Sequence, residues 1–214
     1  MQNNAFLIAQ EGFKFILVGF VLSLLGWFFL GSWAGIIFIL ITVAIALFFR
    51  NPHREPSQEK NIILSPADGK ICMMTEAYEH KFLKEPRKRI SIFMSIFNCH
   101  VNRSPIAATI ADVHYHPGKF HLAHLDKASD LNEQRASLLV DCQERKLVMV
   151  QIAGWVARRI VSYVNHGDTL ALGQRVGIIQ FGSRVDVYLP KETTVEIQVG
   201  QKVKAGKSIL ARFV

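Results

Sequence analysis

Hydrophobic and polar positions divide this chain sharply. From Phe15 to Phe49, 35 residues run without a single Asp, Glu, Lys, Arg or His. As one helix they would extend about 52 Å, well past a hydrocarbon core of roughly 30 Å. Gly31-Ser32 breaks the run near its middle. The pattern therefore predicts two short membrane helices, Phe15–Leu30 and Trp33–Phe49, joined as a hairpin that either spans or re-enters the bilayer. A cleaved signal peptide does not fit, because the stretch is too long and no small-residue cleavage site follows a short core.

After the polar linker Asn51–Lys60, with its two prolines, the period changes. Short apolar or alternating runs stand between turn residues, the pattern of a β-rich domain. The expected strands are Asn61–Leu64, Gly69–Met74, Arg89–Phe97, Ile106–His114, Ala136–Cys142, Leu147–Ala153, Val176–Gln180, Val185–Leu189, Thr194–Val199 and Ile209–Phe213. Helical spacing is clearest over Ala157–Val164, and Asp126–Arg135 suits a turn of helix. The expected architecture is a mainly β (α+β), barrel-sandwich-like catalytic domain at 51–214, behind a helical hairpin anchor at 1–50.

An internal echo supports paired β-units. Gly167-Asp-Thr-Leu170-Ala-Leu-Gly173-Gln-Arg-Val176 matches Gly200-Gln-Lys-Val203-Lys-Ala-Gly206-Lys-Ser-Ile209. The glycines allow tight turns and the apolar positions share a face. Such units suggest a compact sandwich similar to the barrel-sandwich of biotinyl and lipoyl carrier domains. No Met-Lys-Met modification site is present, so the echo speaks to fold only.

Charge then places the domain. Net charge is +8 and the pI about 9.6. Lys14 precedes the apolar run, and Arg50, His53 and Arg54 follow it. A hairpin with basic residues at both ends keeps both in the cytoplasm, so the β domain is expected on the cytoplasmic face of the cell membrane. Basic charge beside an anchor, including Arg87-Lys88-Arg89, suits an anionic lipid surface. No nucleic-acid-binding motif accompanies it. Cys72, Cys99 and Cys142 are odd in number and far apart, which argues against a disulfide framework or a thiolate zinc site.

The chemistry centres on Gly182-Ser183, between two strand-like runs. In a strained turn the Ser183 hydroxyl can attack the preceding Gly182 carbonyl, with proximity supplying much of the barrier reduction. Elimination from the resulting ester would leave a pyruvoyl group at position 183 and two chains, 1–182 and 183–214. A Gly-Ser pair alone is an ordinary turn; its context adds weight. Ser65-Pro66-Ala67-Asp68-Gly69-Lys70 sets an Asp in a tight turn before a strand. His100 follows an apolar strand and is the right residue type for proton transfer near neutral pH. His114, His116, His121 and His124 invite a metal reading, but lack a nearby Cys or an H-x-x-x-H helix pair, so no metal is expected.

Five blocks occur in one order: Pro66-Ala67-Asp68-Gly69, His100-Val101-Asn102-Arg103-Ser104-Pro105, Pro117-Gly118-Lys119-Phe120, Asp126-Lys127-Ala128-Ser129 and Phe181-Gly182-Ser183-Arg184. In this the chain resembles the phosphatidylserine decarboxylase proenzymes from about residue 50 onward, and their short-chain subfamily in particular. The resemblance implies cleavage between Gly182 and Ser183, with Ser183 becoming the pyruvoyl cofactor that forms a Schiff base with phosphatidylserine on the way to phosphatidylethanolamine. It implies that Asp68 assists self-cleavage and that His100 serves the decarboxylation step, and His100 is by residue type the candidate for its general acid. Arg103 stands where the longer bacterial form has a second His, and Phe-Gly-Ser-Arg replaces its Leu-Gly-Ser-Thr. A strict Asp-His-Ser triad is thus not carried over, and His114 or His116 is the candidate replacement. Lys119 or Lys127 would hold the phosphate or carboxylate of the substrate. Expected partners are the phospholipid, the membrane, the two chains of one proenzyme and a possible homo-oligomer, with no nucleic acid. Two alternatives stay open at this point: a decarboxylase of another seryl phospholipid, archaetidylserine in type, and a non-catalytic membrane-anchored adaptor.

Overall fold

The computed structural model describes residues 7–118, 132–154, 159–180 and 183–214. The chain divides into two compact units, Met1–His53 and Arg54–Val214.

In the first unit, α1 (Gln10–Leu30) and α2 (Ser32–Phe48) meet at Gly31, whose φ of 92° ends one helix and starts the next. By length and composition α1 is long and apolar enough to cross a membrane; α2 is shorter. Gly12, Gly19 and Gly26 recur every seventh residue on the buried stripe of α1. A Cβ added at Gly19 would lie 2.4 Å from Thr42 Oγ1, and one at Gly12 2.6 Å from Phe49 Cβ, so small residues set how closely the helices approach. The faces turned outward are large and apolar, Phe28, Phe29, Trp33 and Leu40 among them. A water-facing helix would be polar there.

The second unit is mainly β, as its alternation predicts. The strands are β1 (Ile62–Leu64), β2 (Gly69–Glu79), β3 (Glu85–Met94), β4 (Val101–Arg103), β5 (Ala108–His116), β6 (Gln134–Val140), β7 (Lys146–Ala153), β8 (Arg159–Ser162), β9 (Thr169–Leu170), β10 (Arg175–Gln180), β11 (Ser183–Leu189), β12 (Thr194–Val195), β13 (Lys202–Val203) and β14 (Ile209–Arg212). Eight of them form one sheet in the order β13-β2-β3-β11-β7-β6-β5-β9; two three-stranded sheets read β1-β14-β12 and β4-β10-β8. One buried cluster joins the inner face of the large sheet (Ile92, Met94, Val185, Met149) to both small sheets (Ile63, Leu210, Val176, Ile179).

The order of the large sheet reads the same from both ends if β4–β10 are exchanged for β1–β3 followed by β11–β14. The correspondence extends to single bonds. Gly206 N donates to Ser65 O at 2.8 Å and Gly173 N to Ser104 O at 3.0 Å; Ser65 Oγ donates to Ala67 O and Ser104 Oγ to Ile106 O, each at 2.7 Å. Both long hairpins carry a register shift at the equivalent place, Ile71/Met73 and Ile110/Asp112. The four echo glycines, Gly167, Gly173, Gly200 and Gly206, all adopt positive φ, which other residues rarely tolerate. The fold is thus a duplicated β-unit, with one copy inserted into the other between β3 and β11. Ser183 is the first residue of β11, where the chain re-enters the outer copy.

Several expected elements are corrected. Arg159–Ser162, within the expected helix, is strand β8 and pairs with Gly177–Gln180. The apolar spacing of Ala157, Ile160, Val161 and Val164 fits a helix, but pairing with β10 and burial of Ile160 override it. Gln134 and Arg135, expected in a helical turn, begin β6. β3 stops at Met94, because Ser95 N and Oγ both donate to Asn98 Oδ1 in a tight turn at 2.9 and 2.8 Å. Only Thr194–Val195 of the expected strand Thr194–Val199 pairs.

The β6–β7 turn offers a test of this packing. Asp141 accepts from Gln143 N and Arg145 N, each at 2.9 Å, and from Arg145 Nε at 2.6 Å. Burial pushes its carboxyl up, but those donors outweigh it and hold it below the usual aspartate range. A depressed folded pKa gives stability that is complete above the unfolded pKa and is lost as pH falls through the folded one. Asp141→Asn should therefore melt below the wild type at pH 7, and the gap should close on acidification below about pH 4. Thermal unfolding of both full-length proteins in detergent across that range is the measurement.

Candidate active site

Ser183 is paired on both sides, with Met94 of β3 and Ala153 of β7. Alternation along β11 sends Ser183, Val185 and Val187 to the inner face and Arg184 and Asp186 to the outer. Ser183 is fully buried, and its Oγ has no hydrogen-bond partner among the described residues. A buried hydroxyl without a partner costs on the order of 1–3 kcal/mol, so its retention calls for a reason. Arg184 and Asp186, on the other face, form an ion pair at 2.9 Å with exposures of 0% and 1%; this near-complete burial anchors β11 one residue beyond Ser183.

His100 lies just before β4 and is fully buried. Its backbone oxygen accepts from Ile179 N at 3.3 Å, which ties it to the end of β10, near the approach to Ser183. Its Nδ1 is 3.0 Å from Asn98 O. A carbonyl can only accept, so Nδ1 carries the hydrogen, and in the neutral ring Nε2 keeps the lone pair. Between Met94 and His100 the turn exposes Ile96 and Phe97.

Asp68 sits in its predicted turn, but its carboxylate is engaged. Arg54 donates to both of its oxygens, to Oδ2 at 2.8 Å, and Ala205 N donates to Oδ1 at 2.8 Å. Burial lowers the Arg54 pKa, but the hydrogen bond and charge of Asp68 outweigh it, so its net shift is upward. Arg103 and Arg175 lie in the same region, in register on β4 and β10. Burial, then the charges of Arg175 and Arg54, push Arg103 down to about 10. Buried Cys99 adjoins this basic cluster. Asp68 and Ser183 are not hydrogen-bonded to each other, and neither is bonded to His100. The structure thus sets Ser183 opposite Met94 and ties His100, which follows Met94 by one turn of chain, to the end of β10, while Asp68 belongs to an arginine cluster.

The remaining expected residues fall elsewhere. Gly182, Lys119, Lys127, His121 and His124 lie outside the described residues. His114 and His116 are exposed on β5. His116 pairs with Gln134, which pairs with Ile152, which pairs with Arg184. Three strand spacings, roughly 14 Å, therefore separate the His116 backbone from that of β11. Among the described residues, no three His, Cys, Asp or Glu side chains converge as metal ligands.

Other polar groups near Ser183 were missed from sequence. Asn132 Nδ2 donates to Ala153 O at 2.7 Å, and Glu133 accepts from Tyr115 Oη at 3.0 Å and Ile160 N at 3.2 Å. Asn102 and Gln151, both fully buried, join through Gln151 Nε2 to Asn102 Oδ1 at 2.8 Å. A single polar residue at a core-facing position of an apolar strand was the available signal. Gln151 shares the parity of Leu147, Met149 and Ala153.

A curled eight-stranded sheet, a buried serine opening its central strand and a histidine just before β4 define a β enzyme-like domain, in a chain that also carries an apolar helix pair. The family model for phosphatidylserine decarboxylase matches residues 41–211. A phosphatidylserine decarboxylase proenzyme of Syntrophus aciditrophicus is 43% identical over all of both chains. Proteins of the same name from Syntrophotalea carbinolica and Nitrobacter winogradskyi are each 44% identical, over 98% of both chains and over 96% of this chain and 84% of the relative. This chain belongs to the phosphatidylserine decarboxylase family.

The Arg54–Asp68 pair can be tested directly. Removing one member of a buried pair leaves an uncompensated charge and costs roughly 3–5 kcal/mol, whereas an apolar pair of similar volume is often near neutral. Arg54→Ala should lower stability by about 3 kcal/mol, and Arg54→Met with Asp68→Leu should recover most of it. Denaturant unfolding in detergent measures both. Equal stability of Arg54→Ala and wild type would contradict the assignment.

Proposed function

We propose that this chain is a membrane-bound phosphatidylserine decarboxylase that makes its own pyruvoyl cofactor at Ser183. The observation that carries the reading is the buried, unpartnered Ser183 hydroxyl at the start of the central strand, in a chain of this family. Ser183 Oγ attacks the Gly182 carbonyl carbon, the peptide bond to Ser183 breaks, and the hydroxyl proton ends on the released amine. Loss of the Ser183 Cα proton then expels Gly182 as a carboxylate. Tautomerisation, addition of water and departure of ammonia leave the keto group on the new 183–214 chain.

The surroundings of Ser183 fit that group. Met94, Ala153 and Val185 make its flank apolar, and its one polar atom is unpaired. The pyruvoyl carbonyl supplies an electron sink for the pair left when carbon dioxide departs. His100 Nε2 is the atom we assign to proton delivery, because Nδ1 is fixed on Asn98 O. Asp68 supports self-cleavage by fixing the turn before β2, and Lys119 and Lys127 are assigned to the substrate's phosphate or carboxylate. The anchor is residues 1–50 and the catalytic domain 51–214, with the latter on the cytoplasmic face because basic residues flank the hairpin. The hairpin keeps the enzyme where the substrate's acyl chains reside. The archaetidylserine and adaptor readings are not favoured by the relatives' names. A homo-oligomer has no support here.

Intact mass tests the proposal. The purified wild type should give two fragments divided after Gly182, the smaller lighter by one ammonia than a peptide that starts with serine. Ser183→Ala should stay a single chain. β11 is held by β3 and β7, and β14 by β1, so the fragments should co-elute until denaturant is added. An uncleaved wild type that releases no carbon dioxide from phosphatidylserine vesicles would refute the reading.

A further inference from the structure

Next to Ser183 lie two more buried polar groups with unused capacity. Met94, Ser183 and Ala153 stand side by side across three strands on the inner face. Gln151 faces the same way and pairs with Val185, which makes it the diagonal neighbour of Ser183. Diagonal neighbours lie about 7–8 Å apart at Cα, within reach of a long side chain. Gln151 Oε1 is buried without a hydrogen-bond partner, as is Ser183 Oγ. Asn102 reaches the same place from β4. Its Oδ1 is held by Gln151 at 2.8 Å, but its Nδ2 meets only the sulfur of Met94, at 3.6 Å. A thioether is a weak acceptor. Turning either amide over exchanges which atoms are idle but leaves the pair with spare donor and acceptor capacity.

An amide pair inside an apolar core is destabilising when part of it is unpaired, and apolar residues of the same shape would be cheaper. Fully buried hydroxyl, acceptor and weakly engaged donor on one face, around one residue, form a set that is complete only when residue 183 joins it. We propose that Asn102 and Gln151 are positioning residues for the oxygen carried by residue 183. In the precursor the two atoms are not bonded in the resting arrangement, and a rotation of the Gln151 side chain lets its Oε1 accept from the Ser183 hydroxyl and aim that oxygen's lone pairs as cleavage begins. After processing, that oxygen has left in the carboxylate of Gly182, and residue 183 carries instead a keto oxygen taken from water onto its Cα; this oxygen can only accept, and the amide N–H of the pair donates to it. Neither amide gains or loses a proton, and an amide pair, unlike a carboxylate, does both tasks at any pH between those of acid and base denaturation. The inference rests on the self-processing function proposed above.

The test is the rate of chain cleavage, read on denaturing gels after rapid synthesis, beside thermal stability. Asn102→Leu with Gln151→Met keeps the volume and removes both polar groups, so a merely structural pair predicts unchanged or higher stability and normal cleavage. The proposal predicts a folded protein cleaving at least tenfold more slowly. Gln151→Glu keeps the shape and the acceptor but titrates, so its cleavage should become pH-dependent where that of the wild type is flat. Should the double variant fail to fold, that pH profile decides. A double variant that folds and cleaves at the wild-type rate, or a Gln151→Glu profile that follows the wild type, overturns the amide assignment alone. A wild type that never cleaves overturns it together with the function.

Discussion

Everything at the candidate site depends on β11 being a central strand. Its backbone is bonded to β3 on one edge and β7 on the other from its first residue, Ser183. A residue held by two ladders has little freedom to move. The ladders run from Ser183 onward and do not depend on the peptide bond before it, so that bond can be lost without unravelling the fixed side of the sheet. The Arg184–Asp186 pair strengthens the fixed side. Its two charges are out of water, so they hold their geometry by mutual attraction and backbone placement, not by solvent.

The duplication explains why the chain re-enters the sheet at Ser183. In the inserted copy, β6 and β7 are joined by the tight turn that Asp141 closes. In the outer copy the equivalent strands, β3 and β11, are not joined locally, because the whole inserted copy lies between them. The chain must therefore leave the outer copy after Met94 and return at Ser183, and these two residues meet in register. The exit supplies the turn leading to His100, and the return supplies the serine. Insertion brings an imidazole and a hydroxyl to one end of the sheet although they are far apart in sequence. The glycine echo is the visible trace of this, since each positive-φ turn recurs in both copies.

Much of this was legible in the residues. The helix break at Gly31 and the alternating strands rest on local periodicity or turn chemistry, which need few neighbours to be read. Failures came where tertiary partners decide. β4, β9 and β13 have three, two and two residues, too few for alternation to register. β8 has helical spacing and is a strand only because β10 offers it a ladder. Asp68 was read correctly as a turn residue, but its partner Arg54 lies in a linker that carries no pattern. Gln151 and Asn102 are far apart in sequence, and each looks like a lone polar exception within its own strand.

Those exceptions bear most directly on how a neutral site can run two reactions in turn. Self-cleavage begins from a hydroxyl, a donor, on the side chain of residue 183; decarboxylation needs a ketone on the Cα of the same residue, an acceptor only. A carboxylate tuned to the first would oppose the second, because while ionised it can accept from the hydroxyl but has no hydrogen to donate to the ketone. An amide offers both a donor and an acceptor on one planar group and keeps them without titrating. The inner face around Ser183 carries amides and thioether, while the described charges, Arg184 and Asp186, face the other side and Arg54, Asp68, Arg103 and Arg175 cluster by the β1 and β4 turns. That segregation of charge from the reacting residue is what a precursor and its product, sharing one pocket, both require.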